Sequence, residues 1–392
     1  MSSPRIRLFV AGMGMRGDGY PNATNTLRIL RERLNVDVRE YGGWMPEGFH
    51  LWTAVRRPRA RALMGLLRLC LGNLISAVRL LAVARRNDLV YVPYPSMFLL
   101  WQLSWVPRRW RPRCLCDAYI TVWDTLFQDR RVGCAAGAIS RGLRRVEARA
   151  LRAAYKVVVD TSANADHVAS TYGVPRTSIL AFPLAIDERV FGHFPAGTQG
   201  ESSTPLRVLF IGTFVPLQGT SIIANAIHRL RDRDDLEFVL IGDGQQADEA
   251  APLLDGNPRV RWIRGWIPAS ALAGELSRAD ICLGVFGGDG KAARVLAFKL
   301  YLALATGKAV ITQRPFGLPE SVPPLPVLAI VPSADSLADA ITALAAEDGK
   351  RQMLARAARD YYSQHLGGER LADIWKLHLG LWSSPEQDSD PE

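Results

Sequence analysis

The sequence predicts an α/β chain built on two doubly wound parallel sheets. Three observations carry that reading. Short β-branched runs alternate with longer helical patterns along most of the chain. The alternation stops once, near residues 185–205, where "GHFPAGTQGESSTP" is rich in Gly, Pro, Ser and Thr and has little to bury. The chain's 392 residues also exceed the size at which one hydrophobic core stops growing, so two domains are the default.

Taken in order, the first half offers strands at "RIRLFVAG", "VDVREY", "DLVYVPY", "RCLCDAY", "KVVVDT" and "SILAFPL", with helices at "NATNTLRILRERL" and "GLRRVEARALRAA". This is the βα alternation of an open parallel sheet covered on both faces. Between the second and third strands lies "ALMGLLRLCLGNLISAVRLLAVARR", residues 62–86. Arg68, Arg79, Gly65, Gly72 and Asn73 interrupt it, so it reads as an amphipathic helix with basic flanks and a poor membrane span. Packing on a sheet is the expected role, and lying against anionic lipid is the alternative. Pro93 and Pro95 break the next apolar run into a strand and a helix start. The second half offers strands at "LRVLFIGT", "LEFVLIGDG", "VRWIRGW", "ICLGVFG", "AVITQ" and "PVLAIV". Helices are expected at "SIIANAIHRLRDR", at "ASALAGELSRA", and as one segment after "FGGDG", before a helical region from Ser336 to about Trp382. The expected division is 1–190, a linker at 191–205, 206–360, a last helix at 361–382, and an acidic, disordered tail at 383–392.

The formal charge of +10 suits an anionic ligand, an anionic membrane or nucleic acid. No nucleic-acid-binding signature accompanies it, so no nucleic-acid partner is expected. Five cysteines without ligand or disulfide spacing, and a start that runs directly into a strand, predict reduced thiols and a cytoplasmic location. No zinc, P-loop or serine-esterase motif is present, and the six histidines lack metal-ligand spacing.

In open parallel sheets, ligands sit at the carboxyl ends of strands. Two facing sheets would put that site in the gap between them. The loop after the first strand, "AGMGMRGDGY", carries Gly12, Gly14, Gly17 and Gly19, whose amides could approach an anion. Gly12, Gly14 and Gly17 fit a dinucleotide-binding spacing, and Glu40 follows at a suitable distance, but "RGDGYPNAT" delays the helix. In the second half three post-strand loops recur: "FIGTFVPLQG" with Gly212, "IGDGQQ" with Gly242 and Gly244, and "FGGDGKAAR" with Gly287, Gly288 and Gly290. Lys291, Arg294 and Lys299 add positive charge beside the third, enough to replace a divalent metal at a diphosphate leaving group. In the first half Asp117 ends a strand, with Asp124 and Asp129 beyond it. Asp117 or Asp124 could orient an acceptor hydroxyl or accept its proton; an N-cap or loop-bracing role is an equal alternative for Asp124 and the expected one for Asp129.

Three separated elements resemble one family. "GTFVPLQG", Gly212 to Gly219 and so including Thr213 and Gln218, is similar to a variant reading G-T-F-I-P-L-H-G. "ADICLGVFGGDGKAARVLAFKLYLALATGKAVIT" and "DAYITVWDTLFQDR" are similar to further elements of that variant. The variant belongs to the nucleotide-sugar glycosyltransferases of two-Rossmann-domain (GT-B) architecture, in particular the retaining glycosyltransferase family four. The resemblance implies two facing domains, a last helix crossing back to the first, a site needing no metal or cofactor, and a nucleotide-sugar donor on the second domain. Carried onto this chain, the loop after "IGDG" and the segment Gly265, Trp266 and Ile267 would hold the nucleobase, with Gly212, Thr213, Gln218 and Gly242 also on the donor side. Gly287, Gly288, Lys291 and Arg294 would meet the diphosphate and donor sugar, and Gly12 and Gly14 would close on the diphosphate from the first domain. Asp117, Arg294 and Lys299 are the expected catalytic set. Leu302 stands where the variant keeps a ribose-binding glutamate, Gln218 where it has a histidine, and Arg294 where many family members have a glutamate. Losing that carboxylate removes charge-assisted hydrogen bonds of about 1.5–3 kcal/mol. The expected function is sugar transfer from a nucleotide sugar to an acceptor hydroxyl, with a lipid-linked saccharide at the inner membrane face as one acceptor. The alternative is a catalytically inactive glycosyltransferase-like partner subunit.

Overall fold

The computed structural model describes residues 6–16, 20–46, 49, 51, 60–130, 133–192 and 205–383. Most of the expected linker, the tail beyond Ser383, and Gly17 and Gly19 lie outside these residues. The chain forms two compact units, one of Met1–Ala185 with Gly368–Glu392 and one of Ile186–Gly367.

The first unit holds a six-stranded parallel sheet of β1 (Arg7–Val10), β3 (Asp37–Glu40), β5 (Leu89–Val92), β6 (Arg113–Asp117), β7 (Lys156–Val159) and β8 (Ile179–Ala181). Their order across the sheet is β3-β1-β5-β6-β7-β8. A short parallel pair that the sequence reading lacks, β2 (Met13–Gly14) with β4 (Gly43–Trp44), extends the ends of β1 and β3. The period of two sorts the core. Phe9, Val90, Cys114, Cys116 and Val157 face one apolar cluster, whereas Leu8, Val10, Tyr91, Leu115 and Val158 face another. The last helix, Gly368–Ser383, belongs to the second of these clusters through Leu371, Trp375 and Leu379, with Trp375 packed edge-on against Tyr91 and Phe182.

The second unit holds β9 (Leu206–Ile211), β10 (Leu236–Ile241), β11 (Val260–Ile263), β12 (Ile281–Leu283), β13 (Ala309–Gln313) and β14 (Leu328–Ile330), in the order β11-β10-β9-β12-β13-β14. Counted in chain order this is 3-2-1-4-5-6, the arrangement of dinucleotide-binding sheets. The first sheet instead begins 2-1-3, the flavodoxin-like arrangement. In the second sheet the direction of winding reverses between β9 and β12, which opens a crevice beyond their carboxyl ends. The single helix expected after "FGGDG" is in fact two. Lys291–Arg294 forms one turn, Val295 and Ala297 are extended, and Phe298–Ala305 starts anew.

Candidate functional site

The loops that follow β9, β10 and β12 converge. The Phe214 N–H donates to the Asp243 carbonyl (3.1 Å), Gln246 N–H to the Phe214 carbonyl (3.0 Å), and Phe286 N–H to the Gln218 carbonyl (3.1 Å). Glycine is needed where these backbones touch. A Cβ on Gly242 would meet the Gly212 carbonyl, and one on Gly219, at φ +68°, would meet the Phe286 carbonyl. The helices that start behind the three loops, Thr220–Arg229, Ala247–Leu254 and Phe298–Ala305, have no side-chain N-cap. Thr161 and Ser333 do cap the helices Ser162–Tyr172 and Ala334–Ala346, away from these loops. Uncapped first-turn amides beside converging loops suit an anion.

Lys299 lies beneath the first loop and is buried. Its ammonium donates to Gln218 Oε1 (2.5 Å) and the Gly284 carbonyl (3.3 Å), and Nζ lies 3.8 Å from the Phe210 ring centroid. Burial holds its pKa well below the usual lysine value. Lys299 is therefore an interior group. Lys291 and Arg294 are half-buried on their single turn. The Gly288 amide donates to Gln313 Oε1 (2.8 Å), while Gln313 Nε2 donates back to the Gly288 carbonyl (2.7 Å). Gly288 is thus held by the fully buried Gln313, and its N–H is not offered to phosphate.

Trp266 is exposed and Ile267 half-buried on the loop after β11. The tryptophan joined to the cradle is Trp262, whose Nε1–H donates to the Gly242 carbonyl (2.9 Å) and whose ring stacks on Phe214 at 4.8 Å. Trp262 and Gln313 were not singled out in the sequence. Their only signal is a polar or aromatic residue placed late in an apolar strand. Leu302 is buried at 3% exposure, so it presents almost no surface to a ribose, contrary to the expectation carried from the resemblance.

In the first unit the expected anion loop is occupied from within. The Gly12 N–H donates to Ser76 Oγ (2.7 Å), Met13 N–H to Asn73 Oδ1 (3.1 Å), and Met15 N–H to the Tyr94 carbonyl (2.9 Å). Both side-chain acceptors come from the long helix Ala60–Val83. A Cβ on Gly14 would press on Trp44 and Pro93, so that glycine serves packing. Asp117 is buried at the end of β6, where it accepts from Tyr91 Oη–H (2.7 Å), the Tyr119 N–H (3.4 Å) and the Asn22 side chain. Desolvation outweighs these bonds and raises its pKa to about 6. Asp124 and Asp129 are also buried, with Asp124 Oδ1 3.5 Å from His167 Nε2.

Sequence reasoning missed Glu147. From the helix Ala138–Leu151 it accepts the N–H groups of Val122 (2.7 Å) and Trp123 (2.8 Å), along with Tyr172 Oη–H (3.2 Å). Burial raises its pKa to about 7. The available signal was an acid on the apolar face of a helix. Among the described residues no group of three or more His, Cys, Asp or Glu could hold a metal.

Residues 205–347 match the family described as glycosyl transferases group 1. Among curated proteins no sequence relative matches. Solved structures similar to this one include Anabaena HepE in complex with UDP, at 14% identity and TM-score 0.67, covering 96% of this chain and 100% of that one. Sucrose-phosphate synthase from Thermosynechococcus elongatus is similar at 17% identity and TM-score 0.67, covering 97% and 100%. An E. coli trehalose-6-phosphate structure bound with UDP-2-fluoro glucose is similar at 13% identity and TM-score 0.65, covering 95% and 98%. These likenesses fix the fold as GT-B, and the residues that match the group 1 glycosyl transferases, 205–347, lie within the second unit.

Proposed function

We propose that the protein transfers a sugar from a nucleoside diphosphate donor to an acceptor hydroxyl. The observation that carries this reading is the convergence of three post-strand loops over Lys299 within the group 1 domain. In this reading the diphosphate lies on the uncapped helix starts, with Lys291 and Arg294 beside it. Lys299 acts from below by holding Gln218 and by adding positive field. As the glycosidic bond to phosphate breaks, negative charge grows on the departing nucleotide, and preorganised amides and cations favour that state over the ground state. These groups make a metal unnecessary in the mechanism we favour. Uridine is the base we favour, because HepE is solved with UDP and with UDP-glucose.

Retention of configuration, kinship with family four and a cytoplasmic site of action are parts of the same proposal, as is a lipid-linked saccharide or other glycoconjugate precursor as acceptor. Asp117 and Glu147 are assigned positioning roles in the first unit, since each already accepts three internal donors. The intact cradle gives no support to an inactive partner subunit. A panel of nucleotide sugars, followed by release of nucleoside diphosphate with membrane lipid present, tests the proposal. At least one UDP-sugar is expected to turn over, and Arg294→Ala to slow it by about tenfold or more. Failure of every nucleotide sugar either to turn over or to raise the melting temperature would sink it.

A further inference from the structure

The helix Ala60–Val83 is apolar on both sides, and only its inner side has an explanation within the fold. Leu69, Ala77 and Leu80 are buried in the first unit's core, while Asn73 and Ser76 accept the amides of Met13 and Gly12. On the outer side Met64, Leu67, Leu71, Leu74, Val78 and Leu81 are all exposed, Met64 at 69% and Val78 at 62%. Their spacing alternates between three and four residues, which places them in one stripe along the helix. At 1.5 Å per residue the helix is about 36 Å long, and monomeric proteins rarely leave so extended an apolar surface to water.

Charge accompanies the stripe. Residues 51–112 contain eleven arginines and one acid, Asp88. That balance of +10 equals the formal charge of the whole chain, so the remaining residues carry equal numbers of each sign. Arg68 and Arg79 are exposed on the helix itself, each directly after a stripe residue. In the segment that follows, Trp105 and Trp110 are exposed, with the guanidinium groups of Arg149 and Arg109 at 3.7 and 4.6 Å from their ring centroids. Arginine and tryptophan around an apolar stripe match the chemistry of a phospholipid surface.

We infer that this helix lies in the surface of an anionic phospholipid bilayer, its outer stripe at the acyl boundary and its arginines at headgroup phosphates. Length and composition alone would let Leu63–Val83 cross a membrane. Crossing, however, would strip Gly12 and Met13 of their acceptors and unpack Leu69, Ala77 and Leu80. A second copy of the chain is a poorer occupant, because pairing the stripes would bring two arginine-rich segments together. The inference does not depend on the donor assignment.

Co-sedimentation of the full chain with vesicles tests it. Binding to phosphatidylcholine vesicles containing phosphatidylglycerol should exceed binding to phosphatidylcholine alone by about tenfold or more, and should weaken with salt. The double variant Leu71→Glu/Val78→Glu should lose that binding while keeping its circular dichroism and melting temperature. Arg68→Glu/Arg79→Glu, which leaves the stripe intact, should reduce it as well. Absence of binding to the anionic vesicles, or equal binding by the stripe variant, would overturn the inference. So would a wild-type dimer in light scattering that the stripe variant converts to monomer, because a second copy would then cover the stripe.

Discussion

Lys299 meets an amide oxygen, a carbonyl and an aromatic ring, all of them neutral. Such a site disfavours the ammonium form, which is why its pKa is depressed. A bound diphosphate would restore the preference for the charged form. At pH values near and above the depressed lysine value, donor binding should therefore take up protons, and affinity should fall as pH rises through it. Calorimetry of UDP binding in two buffers with different protonation heats measures this uptake directly. Lys299→Met should weaken UDP by about ten- to a hundredfold, corresponding to about 1.5–3 kcal/mol for a hydrogen bond to a charged group, and should abolish the buffer dependence. The sequence shows a lysine near a glycine loop but not the direction of its side chain. For the same reason Leu302 could be identified as a departure from a family pattern, while its burial could not.

At the scale of elements, the segment after β6 owes its position to a carboxylate from another helix. Glu147 accepts two successive N–H groups at the start of the turn that leads into the helical stretch Asp124–Asp129. Burial raises its folded-state pKa from 4.5 to about 7, so the folded chain binds more protons than the unfolded chain between those values. Stability must then fall as pH rises from about 4.5 to about 7, with a slope of at most about 1.4 kcal/mol per pH unit from this group. Asp117, raised from 3.8 to about 6, acts in the same direction over a lower window. Glu147→Gln should flatten the slope near pH 6 in urea denaturation at a series of pH values, and an unchanged slope would remove Glu147 from the account. The expected strands were each found as strands: inner ones such as β5 and β12 are buried throughout and leave a plain apolar run, whereas β3, β11 and β14 are only partly buried and show β-branched residues between turn signals. The helix after β12 was not foreseen as two, because the extended break at Val295–Ala297 involves neither Gly nor Pro.

On the scale of the molecule, the chain returns to its first unit at the end. Trp375, buried against Phe182 and Tyr91, joins the last helix to strands laid down far earlier in the sequence. Trp375→Ala should cost about 3–5 kcal/mol in chemical denaturation, whereas Trp266→Ala, at an exposed position, should stay within about 0.5 kcal/mol. The sequence by itself determined the two sheets, the break between them, the glycine-bearing loops and the concentration of arginine around one apolar helix, because periodicity, turn chemistry and charge are local properties. Only the tertiary structure decided which amides remain available. It gave the first loop's donors to Asn73 and Ser76, gave Gly288 to Gln313, and drew Lys299 inward under the loops after β9, β10 and β12. The physical reason is that a hydrogen-bonding group's partner is chosen by proximity in space, and residues separated by sixty or more positions can supply it.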